Sequence, residues 1–372
     1  MRWDNLRLDS AGGDDRWSAP PLIERGAVTR TFDTPEFRGM TFYEVHAKSI
    51  VSRVPDASRV PFRWTINPYR GCSHACKYCF ARNSHTYLEL DSGRDFDTKV
   101  VVKVNAAERL RARLASPGWG GEHIAMGTNV DCYQRVEGRY GLMRGIIAAL
   151  RDAANPFSIL TKGTLILRDL DLLLEAAAVT EVGLNVSAGF VDKSLWRAIE
   201  PGTPAPERRL EACAALNDAG LRCGVLMGPV VPYLSDSPAQ LEAAVRQAAD
   251  AGASHVTPIV LHLRTGSREW FLDWLREAHP DLMPRYAELY GRGAYARKDY
   301  QAQIGAQVRE LAEYIGVGRT GSGRTGSGRT GTRGLPPPGR VQPRKDRGDR
   351  GDTTAPAPPA GGGHEQLSLL QY

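Results

Sequence analysis

Long apolar runs are missing from this 372-residue chain. No stretch approaches the roughly 18 consecutive apolar residues of a membrane-spanning helix, so no membrane partner is expected. The opening MRWDNLRLDS spreads charges where a secretory leader would carry an apolar core. A cytoplasmic location is therefore expected. Cysteine is scarce, with six in 372 residues, and three of them (Cys132, Cys213 and Cys223) stand alone. Reduced thiols in a cytoplasmic chain argue against a disulfide framework and toward metal binding or catalysis for any that cluster. Excess charge is also absent from most of the chain. The formal net charge is +6, and residues 317–352 alone hold eight arginines and one lysine against three aspartates. The remainder is neutral, so the basic character belongs to one segment and does not speak for a basic groove in the body.

What is present is a loop. RGCSHACKYCFAR, residues 70–82, places Cys72, Cys76 and Cys79 in a C-x3-C-x2-C spacing. A structural zinc site closes with four ligands, commonly as two C-x-x-C pairs. Three thiolates on one loop instead suit three corners of a [4Fe–4S] cube and leave the fourth iron open. A three-cysteine zinc site completed by His74 or His85 is the alternative reading of the same residues.

From residue 61 onward, strand and helix signals alternate. Short apolar runs at 62–68, 123–128, 156–162, 181–189, 221–231 and 254–263 read as strands. Helical patterns lie between them. One is 105–115, with Asn105 as a candidate cap, and another places Met143, Ile146, Ile147 and Leu150 on one face. The others are 168–178, 203–216 with Thr203 as cap and Pro204 first, and 237–252. Six strand–helix units predict an α/β fold with a parallel sheet and helices outside it, compatible with a partial (β/α)6 barrel. Chemistry in such barrels sits at the C-terminal ends of the strands. The expected organisation is an irregular N-terminal extension over 1–60, a core over 61–265, a helical cap over 266–316, and a disordered tail over 317–372. The tail repeats GRTGS at 318–322 and 323–327 and GRTGT at 328–332, then turns Pro- and Gly-rich.

With Tyr78 before Cys79, the loop reads C-x3-C-x-aromatic-C and resembles that of the radical S-adenosylmethionine (SAM) enzymes. The resemblance implies that Cys72, Cys76 and Cys79 hold a [4Fe–4S] cluster whose open iron chelates the amino and carboxylate groups of SAM. It implies reductive cleavage of SAM to methionine and a 5′-deoxyadenosyl radical. It also implies an electron donor such as flavodoxin or ferredoxin, and the (β/α)6 partial barrel on which that family is built.

Four strand-end segments resemble the branch that includes spore photoproduct lyase. GTNVDCYQRVEG (127–138) matches a T-D-P-Y-Q-x-x-E stretch at Asp131, Tyr133, Gln134 and Glu137, with Cys132 in place of the proline. Cys132 and Tyr133 are the candidate catalytic side chains, Cys132 as a hydrogen-atom donor; a small buried apolar residue is the other reading of Cys132. ILTKG puts Lys162 at a strand end, where the resemblance implies a contact to the SAM carboxylate; a solvated loop lysine is the alternative. Asn185 and Ser187 share a strand face in LNVSAG, with strand-end capping as the alternative for Ser187. The IEPGTP and MGPVVP segments resemble further motifs of the branch. Arg209 is a second candidate for the SAM carboxylate, with a structural salt bridge as the alternative. Gly228, with Met227 and Pro229, is the candidate wall for the adenine. Cys213 and Cys223 read as core. His262 and Arg264, at the end of the last strand, are either substrate contacts or a structural pair.

The chain ends in QLSLLQY. Gln366–Leu370 resembles the Q-L-x-L-F peptide by which bacterial DNA-repair proteins and polymerases dock on the sliding clamp, with Leu370 for the phenylalanine. The Arg-rich repeat suits DNA, because spaced cations gain affinity by counterion release. The sequence therefore predicts a radical SAM enzyme, possible in DNA base repair or modification and of lyase type. The alternatives are a radical SAM enzyme acting on a peptide, RNA or small molecule, and a non-enzymatic iron–sulfur sensor or scaffold.

Overall fold

The computed structural model describes residues 6–7, 26–56, 58 and 60–318. Its strands are β1 (Leu6–Arg7), β2 (Val28–Arg30), β3 (Thr41–Ala47), β4 (Val51–Arg53), β5 (Trp64–Ile66), β6 (Tyr69–Arg70), β7 (Lys99–Lys103), β8 (Ile124–Met126), β9 (Phe157–Thr161), β10 (Val182–Ser187), β11 (Cys223–Val230) and β12 (Val256–Val260). The expectations placed on the Arg-rich repeat and on Gln366–Leu370 lie outside the described residues.

The main sheet runs β4-β5-β8-β9-β10-β11-β12. Every step from β5 to β12 is parallel, and β4 is an antiparallel strand at one edge. These six parallel strands are the six apolar runs of the sequence. Helices follow each turn outward, and the Leu142–Asp152 helix buries Met143, Ile146, Ile147 and Leu150 completely, as its period predicts. The fold is α/β with the strand order of a partial (β/α)6 barrel. Lys298–Ile315, expected in a C-terminal cap, packs instead on β12 and on the Pro238–Asp250 helix, burying Ile304 and Val308. It is the outer helix of the sixth unit.

Residues 1–60, expected to be irregular, contain a correction. β3 pairs in parallel with β7, and β6 pairs antiparallel to β7, forming a second sheet with β1 and β2. Phe42, Val100 and Val102 pack on one face with Tyr69 and Cys72; Tyr43, Val45 and Val101 pack on the other with Leu88 and Leu90. A strand buried on both faces loses its alternation, and its partner here lies far along the chain.

Two expected caps also differ. Asn105 precedes the Ala106–Leu114 helix, but its side chain makes no cap bond. Its Oδ1 accepts from Ala47 N at 2.8 Å and its Nδ2 donates to Ala47 O at 3.0 Å, tying the end of β3 to the turn after β7. The helix expected from Thr203 starts at Pro206, because the Thr203 hydroxyl serves a buried charge network described below.

Candidate active site

The cysteine loop springs from β6, the short strand of the second sheet, and ends in a 3-10 helix over Phe80–Leu88. Its shape is fixed by partners other than the thiols. Gln134, fully buried, accepts from Ser73 N at 2.8 Å and donates to Gly71 O at 3.0 Å. Cys72 N donates to Phe96 O at 2.9 Å, Lys77 N to Ile199 O at 2.9 Å, and Gly202 N to His74 O at 3.0 Å. A Cβ on Gly202 would stand 2.1 Å from Ser73 O, so only glycine permits that approach. Arg82 reaches back with Nε and Nη2 to Cys76 O at 3.1 and 2.9 Å.

The loop closes one wall of a half-open cavity with about 820 Å3 of empty space, part of it bulk solvent. Cys72, Cys76 and Cys79 line it together with Tyr78, and the C-terminal ends of the parallel strands supply the facing wall. After β8, Gly127 has φ +75°, and a Cβ there would lie 1.8 Å from Leu160 O. This turn delivers Asp131 to the cavity. Asp131 Oδ1 accepts from Tyr133 N (2.9 Å) and Thr161 Oγ1 (2.6 Å); Oδ2 accepts from Lys162 N (2.6 Å) and lies 3.4 Å from His74 Nδ1. Burial would raise its pKa, but the His74 imidazole and the donated hydrogen bonds outweigh burial and hold the carboxyl at about 2. One carboxylate thereby fixes the cysteine loop against β9.

Lys162 Nζ donates to Ser187 Oγ at 2.8 Å, and Ser187 Oγ donates to Gly228 O at 2.9 Å. All three residues line the cavity. Behind them stands Glu200, almost fully buried. Its carboxylate accepts from Tyr78 Oη and from Arg209 Nη2, and lies 3.8 Å from Lys162 Nζ. Burial pushes the Glu200 pKa up, and Arg209 and Lys162 bring it below its ordinary value. The Thr203 hydroxyl joins this network from Arg209 Nη2.

Lys162, Ser187, Gly228 and Tyr78 thus meet the three cysteines in one cavity. The other candidates sit elsewhere. Cys132 is completely buried in the main core, and the cavity is lined by its neighbour Asp131 instead. Tyr133 is buried too, its hydroxyl donating to Asp169 Oδ2 at 3.1 Å. Asn185 is half-buried and outside the cavity lining. Arg209 is wholly buried; its Nη1 donates to Ser187 O at 3.0 Å and its Nε to Pro204 O at 2.7 Å, so it braces Ser187 and Glu200 from behind. Cys213 and Cys223 are core, as expected. His262 lines the cavity, with Arg264 Nη2 donating to Tyr295 Oη at 2.9 Å nearby.

Sequence reasoning assigned no role to Glu200, Thr128 or Asn129. Thr128 Oγ1 and Asn129 Oδ1 are buried in the cavity wall without a hydrogen-bond partner. Thr128 and Asn129 follow the end of β8, the one signal that marks them; Glu200 follows the Lys193–Ile199 helix, away from any strand end.

The donor set suits a polynuclear group better than a single ion. Burial pushes the thiols of Cys72, Cys76 and Cys79 above the ordinary cysteine value, so a strongly cationic group is needed to hold them as thiolates. Among the described residues, no three His, Cys, Asp or Glu side chains are placed to hold one metal ion. His85 lies outside the cavity lining, and His74, which lines it, turns its Nδ1 to Asp131. Three thiols around one wall of a cavity fit a cube that uses three corners.

Comparison with known proteins bears on the family and the fold. Residues 66–242 match the family model of the Radical SAM superfamily. The uncharacterized protein Rv2578c of Mycobacterium tuberculosis is 48% identical over 311 residues, covering 84% of this chain and 92% of its own. The uncharacterized protein MJ0683 of Methanocaldococcus jannaschii is 32% identical over 174 residues, covering 47% of this chain and 62% of its own. Among solved structures, spore photoproduct lyase complexed with dinucleoside spore photoproduct has a similar fold. Its TM-score is 0.57 at 15% identity, over 74% of this chain and 80% of that one.

Proposed function

The chain belongs to the radical SAM superfamily, and on that premise we propose that it cleaves SAM reductively at its three-cysteine loop to modify or repair a base in DNA. Membership implies a [4Fe–4S] cluster and SAM. When bound and reduced, the cluster supplies the electron that splits SAM into methionine and a 5′-deoxyadenosyl radical. The observation that carries the reading is the single cavity in which Cys72, Cys76 and Cys79 face Lys162, Ser187 and Gly228.

The chain's own residues divide the work. Cys72, Cys76 and Cys79 hold the cluster. Lys162, held by Ser187, receives the carboxylate of SAM as a point charge. Glu200 sets the position of both Lys162 and Tyr78, and Arg209 fixes Glu200. Gly228 lets the adenine approach backbone. Among the described residues, no helix is long and apolar enough to cross a membrane.

Lys162→Ala is expected to weaken SAM binding by about 10- to 150-fold, the loss of a charge-assisted hydrogen bond of roughly 1.5–3 kcal/mol, with iron content unchanged. Equilibrium binding of SAM to the reconstituted variant measures this, and unchanged affinity would assign the lysine to Ser187 alone.

Two sequence features support DNA as the substrate: the whole net charge lies in residues 317–352, and Gln366–Leu370 resembles a clamp-docking peptide. A tethered arm raises local concentration without fixing orientation. Anaerobically reconstituted, reduced protein should release 5′-deoxyadenosine, and release should rise on addition of damaged DNA. Removing residues 319–372 should abolish salt-sensitive DNA binding and sliding-clamp binding; Leu367→Ala with Leu369→Ala should abolish clamp binding alone. Release indifferent to every form of DNA, with clamp and DNA binding unaffected by these changes, would remove DNA from the reading.

A further inference from the structure

Arg82 is a buried cation beside the cysteine loop. It lies three residues beyond Cys79, and its side chain is fully buried. Its guanidinium stands between two aromatic faces, 5.2 Å from the Phe96 ring and 5.0 Å from the Trp270 ring. Two of its N–H groups converge on Cys76 O, and Nη1 donates to Gly93 O at 2.8 Å. Nη2 pairs with Asp97 Oδ1 at 2.8 Å and Oδ2 at 3.1 Å. Trp270 belongs to the Ser267–Ala278 helix, which packs on the 3-10 helix carrying Arg82. Lys77 Nζ also approaches the Trp270 ring, at 5.5 Å.

This is more than shaping the loop requires. A lysine, or a neutral donor, would satisfy one carbonyl. A guanidinium is always protonated, and burial between rings removes the water that would screen it. Iron–sulfur potentials respond to net charge, hydrogen bonding and solvent exposure around the cluster. A fixed positive charge favours the state holding one more electron, and Asp97 partly offsets that charge.

We propose that Arg82 is a positioning residue that fixes Cys76 and, with Asp97 as its counter-charge, sets the reduction potential of the group the three cysteines hold. The proposal rests on the cluster reading above. The step concerned is one-electron: [4Fe–4S]2+ takes one electron from a low-potential donor, here dithionite, and becomes [4Fe–4S]+. No bond forms or breaks in the protein.

The test is a potentiometric titration of the full-length, reconstituted protein without SAM, read by electron paramagnetic resonance, with iron content measured alongside. Arg82→Met keeps the volume and removes the charge. At a fixed potential near the midpoint, its ratio of reduced to oxidised cluster should fall about tenfold, which is a midpoint about 59 mV more negative. Asp97→Asn should move the midpoint the other way, and Arg82→Lys should return it toward wild type. A wild-type midpoint in iron-replete Arg82→Met, or shifts of the same sign in Arg82→Met and Asp97→Asn, would overturn the proposal while leaving the cluster reading intact. Should Arg82→Met not fold, Asp97→Asn decides: a more positive midpoint supports the proposal and an unchanged one overturns it. Wild-type protein that takes up no cluster would overturn both.

Discussion

Cys72, Cys76 and Cys79 changed together to alanine give a folded protein that takes up no cluster. Iron should fall from about four per chain to near zero, and the visible absorption should vanish with it. Folding survives because the loop's shape is held by backbone partners: Gln134 on Gly71 and Ser73, Arg82 on Cys76 O, Phe96 O on Cys72 N, and Gly202 N on His74 O. None of these uses a sulfur. The thiols, pushed up by burial, contribute little to stability as thiols and become ligands only when a cationic group displaces their protons to solvent. Iron analysis and circular dichroism on the same preparation check both halves. A triple variant that kept its four irons would place the cluster elsewhere in the chain.

Glu200→Ala should be the most destabilising single change around the cavity. The substitution strands the Arg209 guanidinium, which is fully buried, and takes from Tyr78 its hydroxyl partner and from Lys162 its nearest carboxylate. Breaking a buried pair by deleting one member costs roughly 3–5 kcal/mol, because the remaining charge stays desolvated. Held below its ordinary value of 4.5 despite burial, the folded carboxyl stabilises the protein above that pH, and the contribution is lost as the pH falls through the lowered value. Denaturant unfolding at pH 7 measures the loss. Glu200→Gln, which keeps the shape and one acceptor, should lose less. SAM affinity should drop in both variants, since Lys162 loses its support. An alanine variant within about 1 kcal/mol of wild type would show that Arg209 finds another partner or enough water.

The sheet was legible because each parallel strand is a short apolar run bounded by turn residues, with a helical period between runs. Lys162 and Ser187 were legible for a positional reason, since they end such runs, whereas Gly228 lies within β11 and was singled out by the MGPVVP segment. The second sheet was not. Its central pair, β3 and β7, joins residues on either side of the cysteine loop, and no local pattern announces a partner that distant. What Gln134 and Glu200 do was hidden for the same reason, since the groups they hold lie 63 and 122 residues away at Gly71 and Tyr78. Cys132 misled in another way. It departs from the resembled motif at a chemically active residue, but in the turn after β8 adjacent side chains face opposite ways: Asp131 takes the cavity and Cys132 the core.

The sheet that carries the loop also imposes an order on synthesis. Cys72, Cys76 and Cys79 leave the ribosome before β7, before Gln134 and well before Gly202, all of which shape or clamp them. At about 5–20 residues per second, roughly ten seconds pass between the third cysteine and that glycine. For that interval the three thiols belong to an open nascent segment, without the enclosure that the finished fold gives them. The enclosure is a late event in the life of the chain.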